Sequence, residues 1–232
     1  MTENQLIYDI MELARGNQIS DDTDLDGRQI MFIANNQRHL WIRNEYNKPG
    51  RQIDHNIEQD LGCVKLIPVD AAECCDVTIS TGCMILRTER KIPNTIEFHK
   101  GTGITRVGPI NKLNIPFSFI PYSRAQFTGD DKYSKNMVQA FLLNNYLYFI
   151  TPTTQSAFMD YVNVRGVFET PSDAANFSDC DGTACYNKKT SKYPLNSWMY
   201  AYLKEQILRE LGLALQTPKD TAGDSQEILN KQ

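Results

Sequence analysis

This sequence is poor in basic excess, histidine, long apolar runs and paired cysteines, and each shortage excludes a class of function. Lys and Arg number 24 against 28 Asp and Glu, a net charge of -4. The sequence pI is near 5.4. That balance disfavours a broad surface for nucleic acid or an anionic membrane and leaves room only for a local basic patch. The longest apolar runs, such as residues 140–143, fall far short of the roughly 20 residues of a membrane span. His39, His55 and His99 are the three histidines, on three separate segments, in neither a nucleophile-elbow context nor metal-ligand spacing. Cys63, Cys74, Cys75, Cys83, Cys180 and Cys185 form no CxxC pair, which argues against a zinc site. Residues 1–17 mix acidic with apolar side chains, unlike a signal or transit peptide. The expectation is a chain that is cytosolic where it is made, with reduced thiols.

What is present is an ordinary globular composition, 41% hydrophobic and 22% charged over 232 residues. Leu6, Ile10 and Leu13, with Ile7, Met11 and Ala14 beside them, predict a short helix closed by Gly16 and Asn17. The acidic connector at 20–26 lacks the ligand alternation of a calcium loop and reads as the cap of a second helix, 27–45. The stripe of that helix is Ile30, Ile33, Ala34, Gln37, Leu40 and Trp41, with Arg28, Arg38 and Arg43 projecting elsewhere.

From Cys63 the period changes to two. Strands are expected at 63–69, 76–81 and 83–93, and a hairpin joins 96–99 to 104–107 around Gly101 and Gly103. Residues 115–122, bracketed by prolines, suit an edge strand or loop. Asn144 and Asn145 can take the positive φ of a two-residue hairpin turn within 139–150. A further strand is expected at 161–169, and Pro171 starts a turn into a short helix.

The strongest helical signal spans 193–215. Met199, Leu203, Ile207, Leu211 and Leu215 recur every four residues, widened by Trp198, Tyr202, Leu208 and Leu213, while Glu205, Arg209 and Glu210 fall off the stripe. So apolar a helix needs a partner, and the N-terminal helices supply one. The fold class expected is α+β: a helical bundle from the N- and C-terminal segments carrying a large inserted antiparallel β domain, sandwich or barrel-like. Its parts are residues 1–62, 63–170, 171–215 and a polar tail, 216–232.

The search for chemistry ends without an enzyme. Gly101-Thr102-Gly103 lacks the third glycine, the helix and the Lys-Ser/Thr pair of a phosphate loop. Asp179, Asp181 and Gly182 open like a calcium loop, but the downstream acidic ligand is missing and a turn explains them better. Asp130 and Asp131 are most simply solvated. No catalytic, cofactor or metal residue is expected.

The order of elements carries more information. Helices at 6–13 and 27–46, then 164–175, a polar loop and 193–215, with a β-rich middle, resemble the head–tail connector (ring or adaptor) proteins of crAss-like short-tailed phages. The tail tubular protein A group is more distantly similar. The resemblance covers about half the chain and implies a non-enzymatic virion component forming a ring of about twelve identical copies. Its partners would be the portal on one side and other ring or tail proteins on the other. DNA would pass through without sequence-specific binding, since a mildly acidic wall does not attract phosphate.

Trp198, Tyr202, Lys204, Glu205, Phe117, Phe119, Tyr122, Ile228 and Leu229 are the candidate interface residues, the last two in a tail that would order on a neighbour. The rival readings are a β-rich tail or fibre-type binding module using Tyr122, Tyr146 and Tyr148, and a hydrolase assembled from distant Asp, His and Cys residues.

Overall fold

Local sequence sets the helix starts. In a computed structural model of the chain, residues 1–14, 25–69, 84–99, 101–125, 127, 137–151 and 159–214 are described. Helix α1 (Glu3–Ala14) opens with a reciprocal capping box that the sequence reading missed. Thr2 N donates to Gln5 Oε1 (2.8 Å) and Gln5 N to Thr2 Oγ1 (3.3 Å). Helix α2 (Gly27–Tyr46) is capped by Asp26, whose carboxylate accepts from Arg28 N, as the acidic connector suggested. The expected strand at 76–81, most of the connector, Gly16 and Asn17, Asp130 and Asp131, Leu215, Ile228 and Leu229 lie outside the described residues.

The β region is one curled sheet, open like half a barrel, in place of a two-sheet sandwich. It is built from β1 (Gln59–Asp60), β2 (Val64–Pro68), β3 (Met84–Thr88), β4 (Ile104–Gly108), β5 (Ser118–Phe119), β6 (Gln139–Leu143), β7 (Tyr146–Thr151) and β8 (Tyr161–Gly166). The order is β1-β8-β2-β3-β7-β6-β5, with β4 also pairing β8.

β1 and β2 run along β8 in succession, pairing Asp60 with Arg165 and Val64 with Val162. The register advances by one residue between them, as at a β-bulge, and Gly62 in that gap has φ +65°. The hairpin β6–β7 turns on Asn144 and Asn145 at φ 50° and 65°, as the asparagine pair predicts.

Two pairings differ from expectation. Residues 104–108 pair with β8 across the fold, while Phe98 bridges only Gly101, so the 96–107 hairpin is not formed. β5 runs parallel to β6, reached through the short helix α3 (Tyr122–Ala125), so the sheet is not wholly antiparallel.

The last helix, α4 (Met199–Ala214), follows a non-helical lead-in in which Tyr193, Pro194, Leu195 and Asn196 are buried, and Met199 N donates to Asn196 O (3.0 Å). A short 3-10 helix, Pro171–Asn176, follows β8. Met199, Leu203, Ile207 and Leu211 are buried against Leu6 and Ile10 of α1 and Ile30, Met31, Ala34 and Ile42 of α2. This helical core is not closed on itself, because Ile57, Ile96 and Val167 belong to it as well.

The buried face of α2 is rotated from the predicted stripe. Arg38 is fully buried, Leu40 is 53% exposed, and Trp198 and Tyr202 lie on the solvent side of α4. The reason is chemical. Arg38 finds carbonyl acceptors inside, so the helix turns its charged position inward and a leucine outward.

Candidate functional site

Four polar ties hold the body together, and they determine which surfaces remain free. The first is Arg38, whose Nε donates to Pro194 O (2.9 Å) and Nη1 to Phe168 O (2.7 Å), beneath the Tyr193 ring at 5.8 Å. Burial pulls its pKa below the usual arginine value, partly offset by the phenol of Tyr193.

The second is buried Glu3, which accepts from the Tyr186 hydroxyl (3.2 Å) and pairs with Lys188 (3.5 Å), tying the N-terminus to the loop after the 3-10 helix. Burial, then the neighbouring Glu3 charge, pushes the Tyr186 phenol well above its ordinary value.

The third is Asp60, which accepts from Gly62 N (2.9 Å) and Asn163 Nδ2 (2.5 Å) and pairs with Lys112 at 2.7 Å. Burial raises its pKa, but the bonds from Lys112, Gly62 and Asn163 outweigh that and hold the carboxyl below its usual value.

The fourth corrects the expectation of reduced thiols. Cys63 and Cys180 form a disulfide with Cα atoms 5.1 Å apart. The pair is brought together by Cys63 N donating to Ser178 O (3.0 Å), where the 178–185 loop lands on the sheet edge. Gly62 is required at this landing, since a Cβ there would meet Ser178 O and Asp179 Oδ1 at 2.7 Å. Cys185 is a free, half-buried thiol pushed up to about 11, by burial first and then by Asp179 and Asp60. Asp181 accepts from Thr183 N (3.0 Å) and Thr183 Oγ1 (2.7 Å), so the calcium-like stretch is a turn.

The predicted interface residues fall into two groups. Trp198 and Tyr202 join Trp41 of α2 in an aromatic ridge, with ring centroids 4.9 and 5.6 Å from Trp41, and both remain substantially exposed. Lys204 is engaged with Asp9 of α1, and Glu205 pairs with Arg209 (3.3 Å) along the outer face of α4. In the β region, Phe117 packs edge-on to Phe149 (6.1 Å) and is half-buried against the core, while Phe119 and Tyr122 are more exposed, Tyr122 lying 5.6 Å from Phe141. The sequence reading missed Leu113 and Ile115, which are 95% and 86% exposed on the loop 109–116 between β4 and β5. Their signal was an apolar pair between Asn111 and Pro116, in a stretch too polar to be core.

The larger clefts are lined mainly by polar and charged residue types. One of about 340 Å³ lies over Asp60 and is edged by His55, Glu58, Lys112 and Asp179. Another of about 300 Å³ lies beside His39 and Glu169, which are 3.9 Å apart. His55 pairs with Glu58 at 2.7 Å. The three histidines thus have separate settings, and among the described residues no cluster of three or more His, Cys, Asp or Glu is arranged to hold a metal. The exposed features with size and definition are the apolar ones, which suit contact between proteins.

Comparison with known families agrees with that character. The family model described as phage tail ring protein 2, of crAss-like phages, matches residues 5–230. The chain belongs to the phage tail ring protein 2 family. A search of the curated proteins found no match. Family membership makes the chain a structural component of the phage tail and not an enzyme, and a ring protein acts as an oligomer with other tail proteins. No helix among the described residues is long and apolar enough to cross a membrane.

Proposed function

We propose that this ring protein forms a closed ring of about twelve identical copies in the portal–tail connector, with the portal on one side and further ring or tail proteins on the other. The bore of the ring continues the DNA channel. The family match across nearly the whole chain carries this reading. The connector position, the copy number and the channel rest on the resemblance in the order of helices and strands. The division into a terminal helical part, a β part at 63–170 and a partner-binding tail at 216–232 belongs to the same proposal.

The net charge of -4 supports a channel role, because phosphate attraction drives non-specific DNA binding and a mildly acidic wall has little of it. Trp198, Tyr202, Glu205, Phe119 and Tyr122 are the exposed residues we assign to contacts within and between rings, with Ile228 and Leu229 in the tail.

Electron cryomicroscopy of purified virions, with the density of this chain traced, tests the reading. A ring between portal and tail is expected. Density in a fibre, or a monomer bound to the tail exterior, would refute it. Truncation after residue 216 should leave folding intact and weaken incorporation, while normal incorporation would remove the role given to the tail.

A further inference from the structure

The loop 109–116 is apolar at its tip and fixed at its base. Arg106 Nη2 donates to the carbonyls of Lys112 (2.8 Å) and Asn114 (3.0 Å). Asn111 closes a turn, its Oδ1 accepting from Leu113 N (3.1 Å) and its carbonyl from Asn114 N (3.0 Å). Lys112 is anchored to Asp60, and Phe117 N returns the chain to Val107 O (2.8 Å). Leu113 and Ile115 therefore project into solvent from a backbone that cannot easily fold them away. Exposed aliphatics on a pinned loop are a preorganised contact, since little ordering entropy remains to be lost on docking.

The second apolar surface is aromatic. Beside the Trp41–Trp198–Tyr202 ridge is a dip of only about 10 Å³ between Trp41, Leu195, Met199 and Tyr202, so this surface offers exposed rings and not a pocket. Trp and Tyr are the residue types enriched at interface hot spots.

We propose that the 109–116 loop of one copy docks Leu113 and Ile115 against the Trp41–Trp198–Tyr202 ridge of the next copy. The proposal rests on the ring reading above. A closed ring of identical copies needs a heterologous contact, in which two different patches meet, whereas a patch that pairs with itself gives a two-fold dimer. Loop and ridge share no residue, and one carries exposed aliphatic side chains and the other exposed aromatic ones. Their surroundings match in charge as well. Lys112 stands next to Leu113, and Glu205 lies one turn past Tyr202, with side chains 48% and 63% exposed.

Sedimentation velocity on the full chain tests this, using a loop variant (Leu113→Asp with Ile115→Asp) and a ridge variant (Trp198→Asp with Tyr202→Asp). All four positions are exposed, and circular dichroism should show both variants folded. Wild type should self-associate with rising concentration, and each variant alone should associate at least about a hundredfold more weakly, as expected from removing two buried aliphatic contacts.

The decisive sample is the equimolar mixture. It holds one good loop and one good ridge per pair, so it should form dimers and stop there. Wild-type-like assembly of the loop variant, or no dimer in the mixture, overturns the docking while leaving the ring reading intact. A wild type that stays monomeric throughout also overturns copy-to-copy docking by these surfaces. The ring itself is judged separately from virion density.

Discussion

Replacing Arg38 with methionine should destabilise the protein by about 2–4 kcal/mol, a figure set by the competition between orphaned carbonyls and a removed buried charge. The side chain is fully buried and donates to Phe168 O and Pro194 O, with a long contact of 3.5 Å to Glu169 O. Methionine matches the stem but not the fork, leaving two buried carbonyls unpaired at about 1–3 kcal/mol each. Against that loss stands the desolvation of the guanidinium, which lowers its pKa and which methionine abolishes. An isolated buried ion pair exchanged for hydrophobic residues is often neutral or stabilising, because both charges leave together. Here the acceptors are backbone carbonyls, which stay behind, so the loss should win. At about 2–4 °C per kcal/mol for a chain of this size, Tm should fall by roughly 5–15 °C. Urea denaturation and calorimetry with unchanged ring concentration measure both quantities. An Arg38→Met protein as stable as wild type would show that the desolvation cost cancels the hydrogen bonds and would refute the assigned balance.

Three further outcomes follow from other ties. The Cys63–Cys180 disulfide closes a separation of 117 residues, so in the chain-entropy model its removal costs about 5 kcal/mol. Dithiothreitol should lower Tm in wild type but not in Cys63→Ser, and finding both thiols alkylated in unreduced protein would contradict the pairing. Asp60 has its folded-state pKa depressed, so its stabilisation is complete above the unfolded value near 4 and is lost as pH falls through the lower folded value. Asp60→Asn should therefore flatten the acid limb of a stability-versus-pH curve below about pH 4, and an unchanged limb would remove Asp60 from that role. Leu203 is 4% exposed in the helical core, so Leu203→Asp should lose about 4 kcal/mol or more and fail to fold, whereas Glu205→Lys should fold normally and alter assembly. Soluble, folded Leu203→Asp protein would displace α4 from the core.

Legibility from sequence tracked how local each determinant was. The β6–β7 hairpin could be read because two asparagines supply positive φ within four residues of chain. The core face of α4 could be read because Met199, Leu203, Ile207 and Leu211 repeat within one helix. The pairing of β4 with β8 could not, since nothing local distinguishes a partner 60 residues away from the adjacent 96–99 segment. The face of α2 was misread for a related reason. An arginine is assigned outward by habit, and only the distant carbonyls of Phe168 and Pro194 make its burial tolerable. The disulfide depends on a loop landing at Gly62, which the cysteine spacing alone does not reveal. At the candidate interface, Trp198 and Tyr202, which the periodicity counts with the apolar stripe of the last helix, are exposed, Phe117 is half-buried against the core, and the exposed Leu113 and Ile115 carry no periodic signal.

Loop and ridge lie on different parts of the fold, yet a ring demands a fixed angle between them. A ring of about twelve copies turns about 30° per copy, and rings of about eleven or thirteen differ from it by only about 3°. Apolar packing alone is poorly directional. The path from loop to ridge is instead largely polar: Lys112 to Asp60, Asp60 to Asn163 and Arg165 on β8, then through Phe168 to Arg38 on α2, one turn from Trp41. Hydrogen bonds in that path set orientation as well as distance. Arg38→Lys keeps a charge but loses the fork that grips two carbonyls at once, so it loosens the joint without emptying it. In the proposed ring this variant should still assemble and should yield a broader spread of copy numbers than wild type by native mass spectrometry. A spread as narrow as that of wild type would mean that the angle is set elsewhere, by the neighbouring rings or by the loop–ridge contact alone.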